Sequence, residues 1–135
     1  MTYEELEHTA DVKIRAVAPS IEALFGEAAC ALMKVKYGTV EPGSMRYPIV
    51  LDADDPVSLV HDFLSELLYI SEVEDLVISS ADISIHGGHL EGELIGERFD
   101  PKKHSGGTEV KGISYSGLVV RKEDENYILE VIFDV

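Results

Sequence analysis

The sequence predicts an α+β fold: mainly antiparallel, sandwich-like β-sheets with two helices, in the order ββαβαββββ. Three observations predict it. Two stretches, following Pro19 and Asp55, repeat apolar residues at helical spacing. After Asp75 the period changes to two and stays there to the chain end. The helices do not alternate regularly with the strands, which excludes a doubly wound parallel sheet. The 135 residues suit a single domain spanning 1–135, large enough to bury roughly two-thirds of its unfolded surface.

Each element follows from its residues. Tyr3 to Glu7 is a short strand. Val12, Ile14, Ala16 and Ala18 alternate with Lys13, Arg15 and Val17, as a half-buried strand requires. Pro19-Ser20 breaks it and offers an N-cap. Ile21, Leu24, Phe25, Ala28 and Leu32 then mark a helix to about Lys36, ended by Gly38. Glu41-Pro42-Gly43-Ser44 is a turn before a strand over Tyr47 to Leu51. Asp54-Asp55-Pro56 starts a second helix, with acids at the positive end of the dipole and proline in the first turn. Val60, Phe63, Leu64, Leu67 and Leu68 give it a strong apolar stripe to about Val73. Ile83 and Ile85 belong to a strand reaching His86, and Gly87-Gly88 is a hairpin turn. Leu90 to Gly96 returns as a strand that Gly92 weakens. Phe99 to Gly107 is a loop, in which Asp100 to His104 is expected to be mobile. Val110 to Val120 is a strand that includes Lys111. Glu123-Asp124-Glu125-Asn126 turns the chain into a last strand, Tyr127 to Phe133.

The chain carries 26 acidic and 11 basic side chains, a formal charge of -15. The halves 1–67 and 68–135 carry -7 and -8, so the acid is not stored in a tail. Such a charge repels polyanions and argues against direct nucleic-acid binding and against anionic membranes. It suits a solvated surface, a cation site or a basic protein partner. The single cysteine, Cys30, sits in an apolar helical pattern and is expected to be a small core residue without reactivity. The acidic start and the lack of any ~18-residue apolar run lead us to expect a cytoplasmic protein.

Three places offer chemistry. Glu7-His8-Thr9-Ala10-Asp11 puts two carboxylates, an imidazole and a hydroxyl at a strand junction, where Asp11 is a candidate hard-cation ligand or a turn cap. Asp134, beside the Val135 carboxylate, can complete an oxygen site with Asp11, or stand as an ordinary surface acid. Lys111 can pair with a carboxylate, bind a phosphate as a point charge, or simply be solvated. His86-Gly87-Gly88-His89 reads as a turn, since no cysteine and no His-x-x-x-His helix supports zinc. Nucleotide-binding glycine motifs and a hydrolase elbow are absent from the sequence. The residues give a small acidic domain with a candidate carboxylate site, and no reaction.

Five blocks, taken in order, resemble the archease family. They are Glu7-His8-Thr9-Ala10-Asp11-Val12, Phe63-Leu64-Ser65-Glu66-Leu67-Leu68-Tyr69, Gly96-Glu97-Arg98-Phe99-Asp100, Glu109-Val110-Lys111-Gly112-Ile113-Ser114-Tyr115 and Val131-Ile132-Phe133-Asp134-Val135. The family usually has Asn at the Ser65 position and often His at Ser116, and a common glycine stands where this chain has Lys13. The resemblance implies a cytoplasmic accessory protein of tRNA splicing. It would promote guanylylation of an RtcB-type RNA ligase and so its multiple turnover, without being an enzyme itself. It implies a divalent-cation site at Asp11, Asp134 and Val135, with calcium as the usual ion and magnesium or manganese as alternatives. It implies a part for Lys111 in activating the partner, with His8 in the same signature. The alternative is a chaperone-like modulator of a tRNA methyltransferase, acting through its acidic surface. An independent metal-dependent hydrolase is disfavoured, because the ligands are few and no general base is apparent.

Overall fold

In the computed structural model, residues 1–6 and 11–135 are described. Among them the chain forms β1 (Thr2–Leu6), β2 (Asp11–Ala18), α1 (Ile21–Tyr37), β3 (Met45–Asp52), α2 (Pro56–Val73), β4 (Leu76–His86), β5 (His89–Arg98), β6 (Gly112–Glu123) and β7 (Asn126–Asp134). The order ββαβαββββ is the one the periodicities predict.

The strands make two antiparallel sheets, one ordered β1-β2-β7-β6 and the other β3-β5-β4. Both helices touch both sheets. Helix α1 packs on β2, β7 and β4, and α2 on β6, β4 and β3. The core lies around the helices. Ile14, Ala16 and Ala18 of β2 and Leu129, Val131 and Phe133 of β7 face it from the first sheet. Ile49, Val77, Ile78, Leu90 and Leu94 face it from the second. Phe25 of α1 and Phe63 of α2 meet with ring centroids 5.3 Å apart, joining the helices. A tilted aromatic pair adds about 0.5–1.5 kcal/mol to the area it buries.

The helix ends are those the sequence specifies. Ser20 Oγ accepts from the Ala23 amide at 3.1 Å, and the Gly38 amide donates to the Lys34 carbonyl at 2.8 Å. Asp55 caps α2, its carboxylate accepting from the Ser58 amide at 2.8 Å, with Pro56 in the first turn. These hydrogen bonds hold the Asp55 carboxyl below the usual carboxylate range.

β3 extends the expected Tyr47–Leu51 strand by a residue or two at each end and, as expected, contains Pro48, which has no amide to donate. Pro48 is tolerated because β3 is an edge strand. Two expectations need correction. Lys111 is not in a strand: β6 begins at Gly112. Cys30 is half-buried and outside the core cluster, its thiol 3.7 Å from the Ser79 carbonyl of β4. Burial, and then Glu27, push that thiol up, against reactivity. Residues 100–104 form a hydrogen-bonded turn. The Lys103 and His104 amides donate to the Asp100 carbonyl, and His104 is only 2% exposed, between Tyr37 and Phe99.

Helix α1 also solves an edge problem. β4 is the open edge of its sheet, and α1 lies along it. The Ile85 amide donates to Glu22 and Ser79 receives the Cys30 thiol. Covering a strand edge with a helix removes a template for unwanted pairing.

Candidate cation site

Sheet order brings the two ends of the chain together. β2 pairs with β7 in a continuous register, Asp11 opposite Asp134 at one end and Ala18 opposite Tyr127 at the other. Ile14, Ala16 and Ala18 point into the core, so Asp11 and Lys13, of opposite parity, face away from the helices. The same alternation turns Phe133 inward and Asp134 outward. Directly opposed residues of an antiparallel pair share a face, with Cβ atoms about 4.5–5.5 Å apart. The two carboxylates are therefore neighbours on the outer face of the sheet, and both are half-buried.

The β6 side closes the arrangement. Gly112 is also opposite Asp134, and the Lys111 amide donates to the Asp134 carbonyl at 2.7 Å. A Cβ on Gly112 would stand 3.7 Å from Asp134 Oδ2. Glycine thus leaves the β6 flank of that carboxylate open. Lys111, one residue earlier, is exposed. Asp134 is framed by Asp11 on one side and by Lys111-Gly112 on the other. Further along the same face, Lys13 and Arg121 both reach Glu130, at 3.4 and 3.6 Å.

Like charges directly across a strand pair repel. Two carboxylates at such a rung offer hard oxygen donors, the chemistry that calcium, magnesium and manganese prefer. Among the described residues no group of three or more His, Cys, Asp and Glu side chains is placed to hold a metal. The side-chain donors at this rung are two, Asp11 and Asp134. The donor set fits a hard cation that takes further oxygens from water or from a partner. It does not fit zinc, which prefers nitrogen and sulfur.

The structure thus brings Asp11, Asp134 and the backbone of Lys111 together, with Val135 next in the chain. His8 lies outside the described residues. Two departures from the resembled pattern sit nearby. Lys13 is two residues on from Asp11 in β2 and pairs with Glu130. Ser116 is exposed in a bulge of β6, where the register with β7 breaks between Ser114 and Val119.

Sequence reasoning missed His61. From α2 it reaches the carbonyl of Ile113, 52 residues away, at 2.9 Å, and no local pattern signals such a partner. It also missed two adjoining clefts of about 540 and 550 Å³, which share Asp54, Gly87 and Gly88; Tyr115 lines the first and Tyr127 of β7 the second.

The comparisons with known proteins cover the whole architecture. The model of the Archease protein family matches residues 3–135. A Methanopyrus kandleri protein archease is 33% identical over 141 residues, covering 100% of both chains. A Drosophila melanogaster protein archease-like is 34% identical, covering 100% of this chain and 91% of that one. The solution structure of a Methanobacterium thermoautotrophicum protein superposes with a TM-score of 0.75 at 29% identity, covering 98% of each chain.

Proposed function

Because the chain belongs to the archease family, we propose that it activates an RtcB-type RNA ligase, promoting its guanylylation and multiple turnover in tRNA splicing. The observation that carries this reading is the rung at which Asp11 opposes Asp134 while Asp134 accepts from the Lys111 amide. Those are the residues to which the family resemblance assigns the cation and the activation of the partner.

Each group has a physical task. Asp11, Asp134 and the Val135 carboxylate hold a divalent cation, calcium foremost, through oxygen alone. Such a cation supplies local positive charge where phosphoryl transfer needs charge neutralised. Lys111, exposed next to the rung, carries a compact ammonium on a flexible stem and binds phosphate as a point charge. The family resemblance puts His8 in the same signature as Asp11. The chain itself performs no covalent step. The partner ligase holds the RNA, in keeping with a net charge of -15 that repels a polyanion.

Multiple-turnover ligation with RNA in excess over ligase tests the proposal. Substoichiometric wild-type chain raises the number of turnovers per ligase. Asp11→Ala, Asp134→Ala and Lys111→Ala each lose most of that effect. Undiminished turnover with the two aspartate variants contradicts the cation assignment.

A further inference from the structure

We propose that His61 is a positioning residue that clamps the Lys111–Gly112 segment against β7; its bearing on activation rests on the proposed role of Lys111. The segment needs an anchor. Among the described residues β6 is the edge strand of its sheet, with β7 as its neighbour on one side and no strand on the other. Its first stretch is in register with β7 for Gly112, Ile113 and Ser114 only, before the break that precedes Val119. Lys111 lies outside β6, and its amide donates to the Asp134 carbonyl of β7. Edge segments with so short a ladder open easily.

His61 supplies the missing side. Its Nε2 is 2.9 Å from the Ile113 carbonyl. A carbonyl only accepts, so Nε2 carries the proton and donates, whichever state Nδ1 takes. The imidazole is held in that pose from its face as well. Tyr115 stacks on it with ring centroids 3.7 Å apart and planes 14° from parallel. Tyr115 is itself 55% exposed and lies in the bulge, so this ring covers His61 while remaining open to solvent. Nδ1 lies 3.3 Å from Asp62 Oδ1 and bonds to it only when Nδ1 also carries a proton. The helix that carries His61 is anchored in the core through Leu59, Val60, Phe63 and Leu64. The clamp therefore ties a rigid element to the strand position two residues after Lys111.

Two substitutions in the full chain separate bond from stack. His61→Phe keeps a ring for Tyr115 and removes the donor. His61→Gln keeps a donor and removes the ring. The first readout is amide exchange of Lys111 by NMR, with Val131 in the centre of the sheet as control. His61→Phe is expected to speed Lys111 exchange roughly 5- to 10-fold, the loss of one net hydrogen bond, with Val131 unchanged. His61→Gln is expected to return Lys111 to within about twofold of wild type. Unchanged Lys111 exchange in His61→Phe, or equal acceleration at Val131, overturns the clamp. The second readout is ligase turnover, in which His61→Phe is expected to lose several-fold. Full activation by His61→Phe in an assay that Lys111→Ala abolishes overturns the bearing on activation. An assay indifferent to Lys111→Ala sinks the proposed function of Lys111 instead, and amide exchange alone then decides the clamp.

Discussion

Asp11 and Asp134 oppose each other at the last rung of β2 and β7, on the face turned away from the core. Binding of a cation to the folded chain alone raises stability by mass action, by about 2.7 kcal/mol when the free ion is near 100 times Kd. Thermal unfolding with and without calcium is expected to show an upward shift of several degrees. Asp11→Asn and Asp134→Asn should each erase most of it, since each removes half of the side-chain donors. A shift that survives both substitutions places the ion elsewhere. His89 offers a separate test by pH. It stands opposite Asp52, with Nδ1 2.7 Å from Oδ1, and the hydrogen bonds to Asp52 and Glu91 hold its pKa above the ordinary histidine value. The protonated form is therefore favoured by folding. Its contribution is fully present below the unfolded histidine pKa and is lost as pH rises through the folded value. An NMR titration should place the His89 midpoint above that of an unfolded peptide, and Asp52→Asn should lower it. These residues differed in how far sequence betrayed them. Asp11, Lys111 and Asp134 stood out through the family pattern, whereas a cross-strand partner such as Asp52 depends on register, which sequence alone does not supply.

The elements were largely legible because their signals are local. Ser20 and Asp55 cap, Pro56 sits in the first turn, and the stripe from Val60 to Leu68 repeats at helical period. α2 spans Pro56–Val73, the limits its sequence indicates. The Gly87-Gly88 turn has positive φ at both residues, as a two-residue hairpin demands. The misses were tertiary. Lys111 stops one residue short of β6, although its amide still reaches the Asp134 carbonyl of β7, and Cys30 lies against the β4 edge and outside the core. Gly92 weakens a strand by propensity, yet the fold requires it: a Cβ there would run into the carbonyl of Asp82 on β4. Gly92→Ala is thus expected to destabilise by about 1–3 kcal/mol in denaturant unfolding. A loss below a few tenths would show that β4 and β5 separate freely at that point.

At the scale of the molecule, the sheet order β1-β2-β7-β6 is what turns two distant acids into one site. Residues 11 and 134 are far apart in sequence, and neither composition nor periodicity pairs them. The charge of -15 has its own consequence. Self-repulsion opposes the compact state, and salt screens it over a Debye length of about 10 Å at 0.1 M. The melting temperature is expected to rise between about 0.05 and 0.5 M sodium chloride. A fall would mean that surface pairs such as Lys103–Glu97 and Lys13–Glu130 outweigh the repulsion. Among the described residues no helix is long and apolar enough to cross a membrane. On the proposed function the partner ligase holds the RNA, which accords with a charge of -15 that repels a polyanion. The most direct measurement is the amount of covalent ligase–GMP formed from labelled GTP, with and without a substoichiometric amount of this chain. The account predicts that wild-type chain raises it and Asp134→Ala does not. Equal guanylylation with wild-type chain, with Asp134→Ala and with no chain at all would contradict it.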